Sequence, residues 1–257
     1  MAEKSIDINC DLGESFGAYR LGFDSDVMRY ISSANIACGW HAGDSLVMEK
    51  TVRMATCNEV AVGAHPGYPD LVGFGRRHMD CTAEEIRSYL TYQIGALNAF
   101  CVTNSVEMRH VKPHGALYMN AMKDERVGEA ICEAVAALNP NLALFVMAGQ
   151  QGFKLASIAS SHGLRVCMEA FPDRQYDPGG NLTPRSDPNA VLSDTSLVAQ
   201  RALMMAIEGR VKASDGSIIE LEAKTLCVHG DNEAALGLVR EIRRQLEREG
   251  VAIRPAT

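Results

Sequence analysis

Four of the seven histidines in this chain stand where a short apolar run breaks off. His41 follows the run in NIACGWHAGD and His65 closes VAVGAH. His114 lies two residues past Lys112 in VKPHGALY, and His229 ends TLCVH. Acids and cations fall at the same kind of place. Asp11 and Glu14 occur in NCDLGE, Asp44 in HAGD, and Asp70 with Arg76 and Arg77 in HPGYPDLVGFGRR. Asp173 and Arg174 occur in FPDR, and Asp231 in HGDN. Imidazoles and carboxylates carry protons or ligate metals, and lysine and arginine hold anions. Each also has a plainer role. Asp44 and Asp231 are good helix N-caps, a histidine beside glycine serves a turn, and Arg76 and Arg77 could be a solvated pair. Lys112 is different, because a surface lysine is rarely set between apolar strand residues and Pro113. His78, His110 and His162 read as structural, and Trp40 and Tyr68 as pocket wall or core. Cys38 has no adjacent base to make it a nucleophile.

The elements that must position these groups are short and alternate. Residues 5–10, 34–38, 60–64, 106–112, 142–148, 164–170 and 225–229 read as buried strands, mostly continuous apolar runs of the kind parallel sheets require. Helical patterns lie between them. Thr82 and Glu85 form a capping box ahead of Ile86, Leu90, Ile94, Leu97 and Cys101. Asp124 can cap a helix carrying Val127, Ile131, Val135 and Leu138. Asp231 can cap one carrying Leu236, Val239, Ile242 and Leu246, with Gly250 stopping it. Repeated strand–helix alternation means an α/β fold with a parallel sheet, open or closed into a barrel. In such folds catalytic groups gather at the C-terminal strand ends, which is where the histidines fall. Residues 172–193, rich in Pro, Gly and Asp, read as a functional loop or lid, and 210–222 as a hairpin around Asp215-Gly216. No linker or repeat divides residues 1–257, so one domain is expected.

Composition narrows the classes. Of 257 residues, 47% are hydrophobic and 22% charged, an ordinary globular profile. The net charge of -7 argues against nucleic-acid binding. No apolar stretch reaches the ~18 residues of a membrane span, and the N-terminus lacks the apolar core of a secretory signal. The eight cysteines include no CxxC pair, which fits a reducing cytoplasm. There is no P-loop, no GxGxxG, no GxSxG and no HExxH. Asp11, His41, His65 and His229 could still assemble a metal site from separate strands.

Long motifs, in order, carry a resemblance: IDINCDLGESFGAYR, SANIACGWHAGD, GAHPGYPDLVGFGRR, RHVKPHGALYMNA, EAFPDRQYDPGGNLTPRS and CVHGD. Together they resemble the LamB/YcsF family, from about residue 5 to about residue 250. Trp40 and Gly67 depart from the family's more frequent Phe and Ser and are expected to alter the pocket wall. The resemblance implies a seven-stranded β/α barrel, TIM-like, of the glycoside hydrolase and deacetylase type. It also implies the A-subunit role in 5-oxoprolinase: ATP-dependent opening of the lactam of 5-oxo-L-proline to L-glutamate, shared with the B and C subunits. ATP would be the co-substrate, held by this chain or, more in keeping with the missing P-loop, by its partners, and a divalent metal is an open alternative. On that reading Asp11 is a base or orienter, His41 and His114 carry protons, and Lys112 with Arg76 or Arg77 holds the anion. Arg174 clamps the substrate carboxylate, His65, His229 and Asp231 complete the wall, and Glu14 and Asp44 lie on the substrate side. The competing expectations are a metal-dependent deacetylase-like hydrolase and a non-catalytic carbohydrate-binding or regulatory subunit.

Overall fold

The computed structural model describes residues 4–228 and 233–257. Six strands come first: β1 (Ser5–Leu12), β2 (Ser33–Ala37), β3 (Ala61–His65), β4 (Met108–Val111), β5 (Ala143–Met147) and β6 (Arg165–Ala170). A small antiparallel hairpin follows, β7 (Arg210–Lys212) with β8 (Ile218–Glu220), turning at Asp215-Gly216 as its sequence requires. Then β9 (Thr225–Val228) pairs in parallel with both β6 and β1. Among the described residues β1 to β6 and β9 therefore close a ring of seven parallel strands, which decides for a barrel over an open sheet. A last strand, β10 (Ala252–Ile253), adds to the outer end of β1.

Helices cover the ring. They are α1 (Asp24–Val27), α2 (Ser45–Cys57), α3 (Ala83–Thr103), α4 (Gly115–Lys123), α5 (Glu125–Leu138), α6 (Phe153–Ser161), α7 (Thr195–Glu208) and α8 (Glu233–Arg248). Local chemistry starts them. Asp44 accepts from the backbone N–H of Leu46 and Val47, Asp124 from Arg126, and Thr82 with Glu85 forms the complete capping box. The anticipated cap Asp231 lies outside the described residues, as does His229. The hydrophobic core lies between ring and helices, where Ile8, Leu12, Ile36, Val62, Val111, Leu144 and Leu226 meet Leu90, Ile94, Ile131, Leu155 and Ile242, all buried.

Inside the ring the expectation of apolar runs fails in an informative way. Side chains alternate along a strand, so while Ile8, Cys10 and Leu12 of β1 face the helices, Asp7, Asn9 and Asp11 face the axis. Asp7 accepts from the hydroxyls of Ser32 (2.5 Å), Ser33 (2.9 Å) and Thr225 (2.6 Å). Asn9 donates to Thr225, and Asn35 donates to both Asn9 and Asp11. His110, left as structural from sequence, sits in this column. Its Nε2 lies 2.8 Å from Asn35 Oδ1 and its ring stacks on Phe145. Gly63 makes room for it, since a Cβ there would come within 2.1 Å of His110 Nε2. A buried polar column is tolerable because most of its polar atoms satisfy one another, His110 Nδ1 being left without a partner among the described residues, and it leads up to the strand ends.

Residues 172–193 are a folded excursion. Tyr176 is fully buried, Gln175 and Ala190 are joined through their backbones, and Leu192 donates to Asp173. The Arg201 guanidinium, from α7, donates to the carbonyls of Pro172, Arg174 and Lys212 and pins the base of the loop. The stretch 184–189 is its longest run of exposed residues, with Pro178 and Gly179 forming a shorter one.

Candidate functional site

At the C-terminal ends of β1, β3, β4, β6 and β9 one charged cluster assembles around Lys112, which is 3% exposed. Its Nζ lies 2.9 Å from Asp11 Oδ1, 2.9 Å from Glu169 Oε1, 3.0 Å from Cys227 Sγ and 3.4 Å from Asn9 Oδ1. The Tyr118 hydroxyl donates to the other Glu169 oxygen at 2.9 Å. Burial by itself lowers an ammonium pKa, but the two carboxylates outweigh it and hold Lys112 well above the usual lysine range. Burial pushes the Cys227 thiol up as well, so neutral sulfur faces the ammonium. Lys112 is charged and already saturated: its three hydrogens go to Asp11 Oδ1, Asn9 Oδ1 and Cys227 Sγ, and Glu169 Oε1 stands beside them as an ion-pair partner. This revises the expectation that it holds an incoming anion, because what it holds is Asp11 and Glu169.

Beside this cluster stand three imidazoles. The rings of His41 and His114 are stacked, 3.8 Å between centroids and 3° from parallel, and His65 lies edge-on to both. His65 Nδ1 is 2.7 Å from the Lys112 carbonyl, and His114 Nε2 is 2.8 Å from the Phe74 carbonyl. Between the rings, His65 Nε2 and His114 Nδ1 are 2.9 Å apart. Asp11 Oδ2 is 3.3 Å from His65 Nε2, and Glu14 Oε1 is 3.8 Å from His41 Nε2. Burial, then the neighbouring imidazoles, hold His41 and His114 well below the usual histidine range, so both are neutral. One ligand atom from each of Glu14, His41, His65 and His114 lies within 4.8 Å of all the others, a group that could hold a metal ion. This differs from the set expected from sequence: Glu14 and His114 stand in it, Asp11 is taken by Lys112, and His229 lies outside the described residues.

Local sequence explains the arrangement. Gly75 adopts φ +62°, and a Cβ on it would come within 2.8 Å of His41 and 2.9 Å of His114, so glycine lets the 66–77 loop close over the rings. Gly67 exchanges hydrogen bonds with the buried Gln93 of α3 and abuts His41 Nδ1 without a side chain to displace it. Trp40 packs between Tyr89 and Tyr92 of α3. The imidazoles and Lys112 are buried; Asp11 and Glu14 keep 17% and 13% of their side chains exposed and mark the side from which the cluster is reached.

The expected site residues separate accordingly. Asp11, His41, His65, Lys112 and His114 come together, with Glu14 at their edge. Arg76 is exposed, its guanidinium carbon 4.9 Å from the Phe74 ring centre. Arg77 is drawn away into an ion pair with Asp70. Asp44 spends its oxygens on the start of α2 and on the N–H of Gly17. Arg174 donates to the carbonyls of Ala190 and Thr183, tying its loop together rather than reaching out as a carboxylate clamp. Asp231 and His229 lie outside the described residues. Cys38 is inert, its thiol pushed up to about 12 by burial. Sequence reasoning missed Glu169 and Tyr118. The signal for Glu169 was there: an acid one residue from the end of LRVCMEA, after the apolar run Val166-Cys167-Met168.

Known proteins agree with this architecture over nearly its whole length. The LamB/YcsF family model matches residues 6–257. The A subunit of 5-oxoprolinase from Pyrococcus furiosus is 52% identical over 250 residues, 97% of either chain, and that from Alkaliphilus metalliredigens 50% over 248 residues, 96% of either chain. The crystal structure of a lactam utilization protein from Thermus thermophilus superposes with TM-score 0.92 at 45% identity, covering 97% of this chain and 99% of that one.

Proposed function

The chain belongs to the LamB/YcsF family, and from that premise we propose that it is the lactam-handling component of an ATP-dependent 5-oxoprolinase, which opens 5-oxo-L-proline to L-glutamate in the cytoplasm. The observation that carries this reading is the near full-length similarity to the A subunits of 5-oxoprolinases. A protein so designated works with others, here the B and C subunits. With no P-loop in this chain, ATP falls to the partners.

A lactam is a stabilised amide and a poor electrophile. ATP activates it, for example by phosphorylating the amide oxygen with release of ADP; water then adds to the ring carbon, the ring nitrogen leaves as it is protonated, and a second water releases phosphate from the resulting γ-glutamyl phosphate to give L-glutamate. Asp11 is suited to orient or deprotonate that water. Its Oδ1 is fixed by Lys112 and Asn35, leaving Oδ2 on the histidine side. Lys112 and Glu169 hold Asp11 in register from inside the barrel. The exposed Arg76, at the rim of the same cluster, is the cation placed to meet the substrate carboxylate or a phosphate. Enclosure of the cluster keeps bulk water from the activated intermediate.

The test is isotope-traced ring opening with ATP by this chain alone, by B plus C, and by all three. Turnover is expected only in the complete mixture, and Asp11→Asn should remove it. Full turnover by B plus C, or by this chain alone, refutes the assignment.

A further inference from the structure

Three buried imidazoles meet here, and hydrogen bonds leave one of them, His41, without a partner among the described residues. A carbonyl oxygen only accepts, so the nitrogens facing the Lys112 and Phe74 carbonyls, His65 Nδ1 and His114 Nε2, both carry hydrogen. The remaining nitrogens of these two rings, His65 Nε2 and His114 Nδ1, face each other at 2.9 Å, with Asp11 Oδ2 3.3 Å from the former. That contact calls for a positive species between or beside the two nitrogens, either a shared proton or a metal ion. His41 adds a second anomaly. Its ring is fully buried, and neither nitrogen has a hydrogen-bond partner among the described residues. A buried polar atom left unpaired costs roughly 1–3 kcal/mol, so such atoms call for an explanation.

We propose that Glu14, His41, His65 and His114 bind one divalent transition-metal ion. Backbone carbonyls on the far nitrogens of His65 and His114 are the outer partners that fix a metal-binding tautomer and aim the lone pair inward. Three neutral imidazoles and one carboxylate are borderline donors, suited to zinc, cobalt, manganese or iron(II) and not to calcium or magnesium. The spread of 4.8 Å is a little wider than the ~4.2 Å that two metal–nitrogen bonds of about 2.1 Å allow, so loading draws the ligands inward. The stacked ring of His41 must tilt to join, because parallel rings send their lone pairs side by side. His65 and His114 are therefore the primary ligands, and His41 and Glu14 complete the set. Ligation replaces the proton-carrying role expected for His41 and His114. A bound ion at this place would polarise an amide oxygen or acidify a water next to Asp11. The inference stands on the imidazole geometry and does not depend on the lactam reading.

The experiment uses the full-length chain, stripped with a chelator and titrated with cobalt(II) at neutral pH. Visible absorption reports the coordination, elemental analysis the stoichiometry, and melting temperature the linkage to folding. The expected result is one equivalent per chain, a ligand-field spectrum and a raised melting temperature. His65→Ala and His114→Ala should weaken binding by more than the ~10–100-fold that loss of an outer partner costs. His162→Ala, at a histidine paired with Glu129 away from the cluster, should leave binding unchanged. If His65→Ala or His114→Ala fails to fold, the wild-type stoichiometry and the metal-dependent melting shift decide by themselves. Sub-stoichiometric binding by the wild type, or full binding by folded His65→Ala, overturns the proposal and assigns the gap to a shared proton. Loss of ring opening without loss of metal binding would count against the lactam reading alone.

Discussion

The ammonium of Lys112 and the carboxylate of Asp11 meet at 2.9 Å inside the barrel mouth, and Glu169 stands at the same distance from that ammonium. One buried cation thus restrains two acids brought from β1 and β6. Removing the cation leaves two carboxylates facing each other with little water. Lys112→Met should cost roughly 3–5 kcal/mol of stability, the scale for breaking one side of a buried pair. Adding Glu169→Gln should recover part of it. Urea denaturation of the two single variants and the double variant measures this, and strictly additive losses would show that the triad is not coupled.

Asp7, at the foot of the polar column, sets a pH dependence. Burial raises its pKa from 3.8 to about 6 against the pull of its hydroxyl donors. The native state therefore binds the proton more tightly than the unfolded chain. This contribution is fully present below about pH 4 and is lost as pH rises through about 6, on the order of 3 kcal/mol at one pKa unit per 1.36 kcal/mol. Asp24, raised to about 6 mainly by burial, slopes the same way. Asp7→Asn should flatten the stability-pH curve between pH 4 and 6 relative to wild type, leaving the Asp24 share. Superimposable slopes in a pH series of melts would refute the assignment to Asp7.

Gly63 and His110 occupy one volume between them. Gly63→Ala would set a methyl within 2.1 Å of the imidazole and should destabilise by at least the 1–3 kcal/mol typical of overpacking. His110→Ala should itself destabilise, since Asn35 Oδ1 loses its donor. The double variant should be more stable than the sum of the two losses predicts, and thermal melts of all three variants test this.

The 172–193 connection was expected to act as a lid, and its internal bonds confine where motion can occur. Amides of Gln175, Thr183 and Leu192, each donating to a backbone carbonyl within the connection, should be protected from hydrogen exchange with or without substrate. Any protection gained on adding 5-oxo-L-proline, ATP and partners should fall in 184–189. Rapid exchange along the whole connection would show that its base is not built as described.

Much of the site was legible before the fold. Apolar runs broken by His41, His65 and the Lys112–His114 motif marked strand ends, because the helix-facing side chains of a barrel strand stay apolar until the strand emerges. Thr82 with Glu85 marked a helix start by the same local logic, since a cap is a contact within four residues. What could not be read were contacts between distant strands. Asn35 and His110 looked like ordinary strand polars until closure of the ring turned alternate side chains onto one axis. Glu169 looked incidental until β6 came beside β9 and opposite Lys112. Arg77, Asp44 and Arg174 looked like site residues, but Asp70, the start of α2 and the 172–193 backbone claimed their charges. Sequence sets which groups are available and which face of each strand they occupy. Only the tertiary structure decides which of them share a low-dielectric space, where partners a hundred residues apart fix charge, tautomer and orientation.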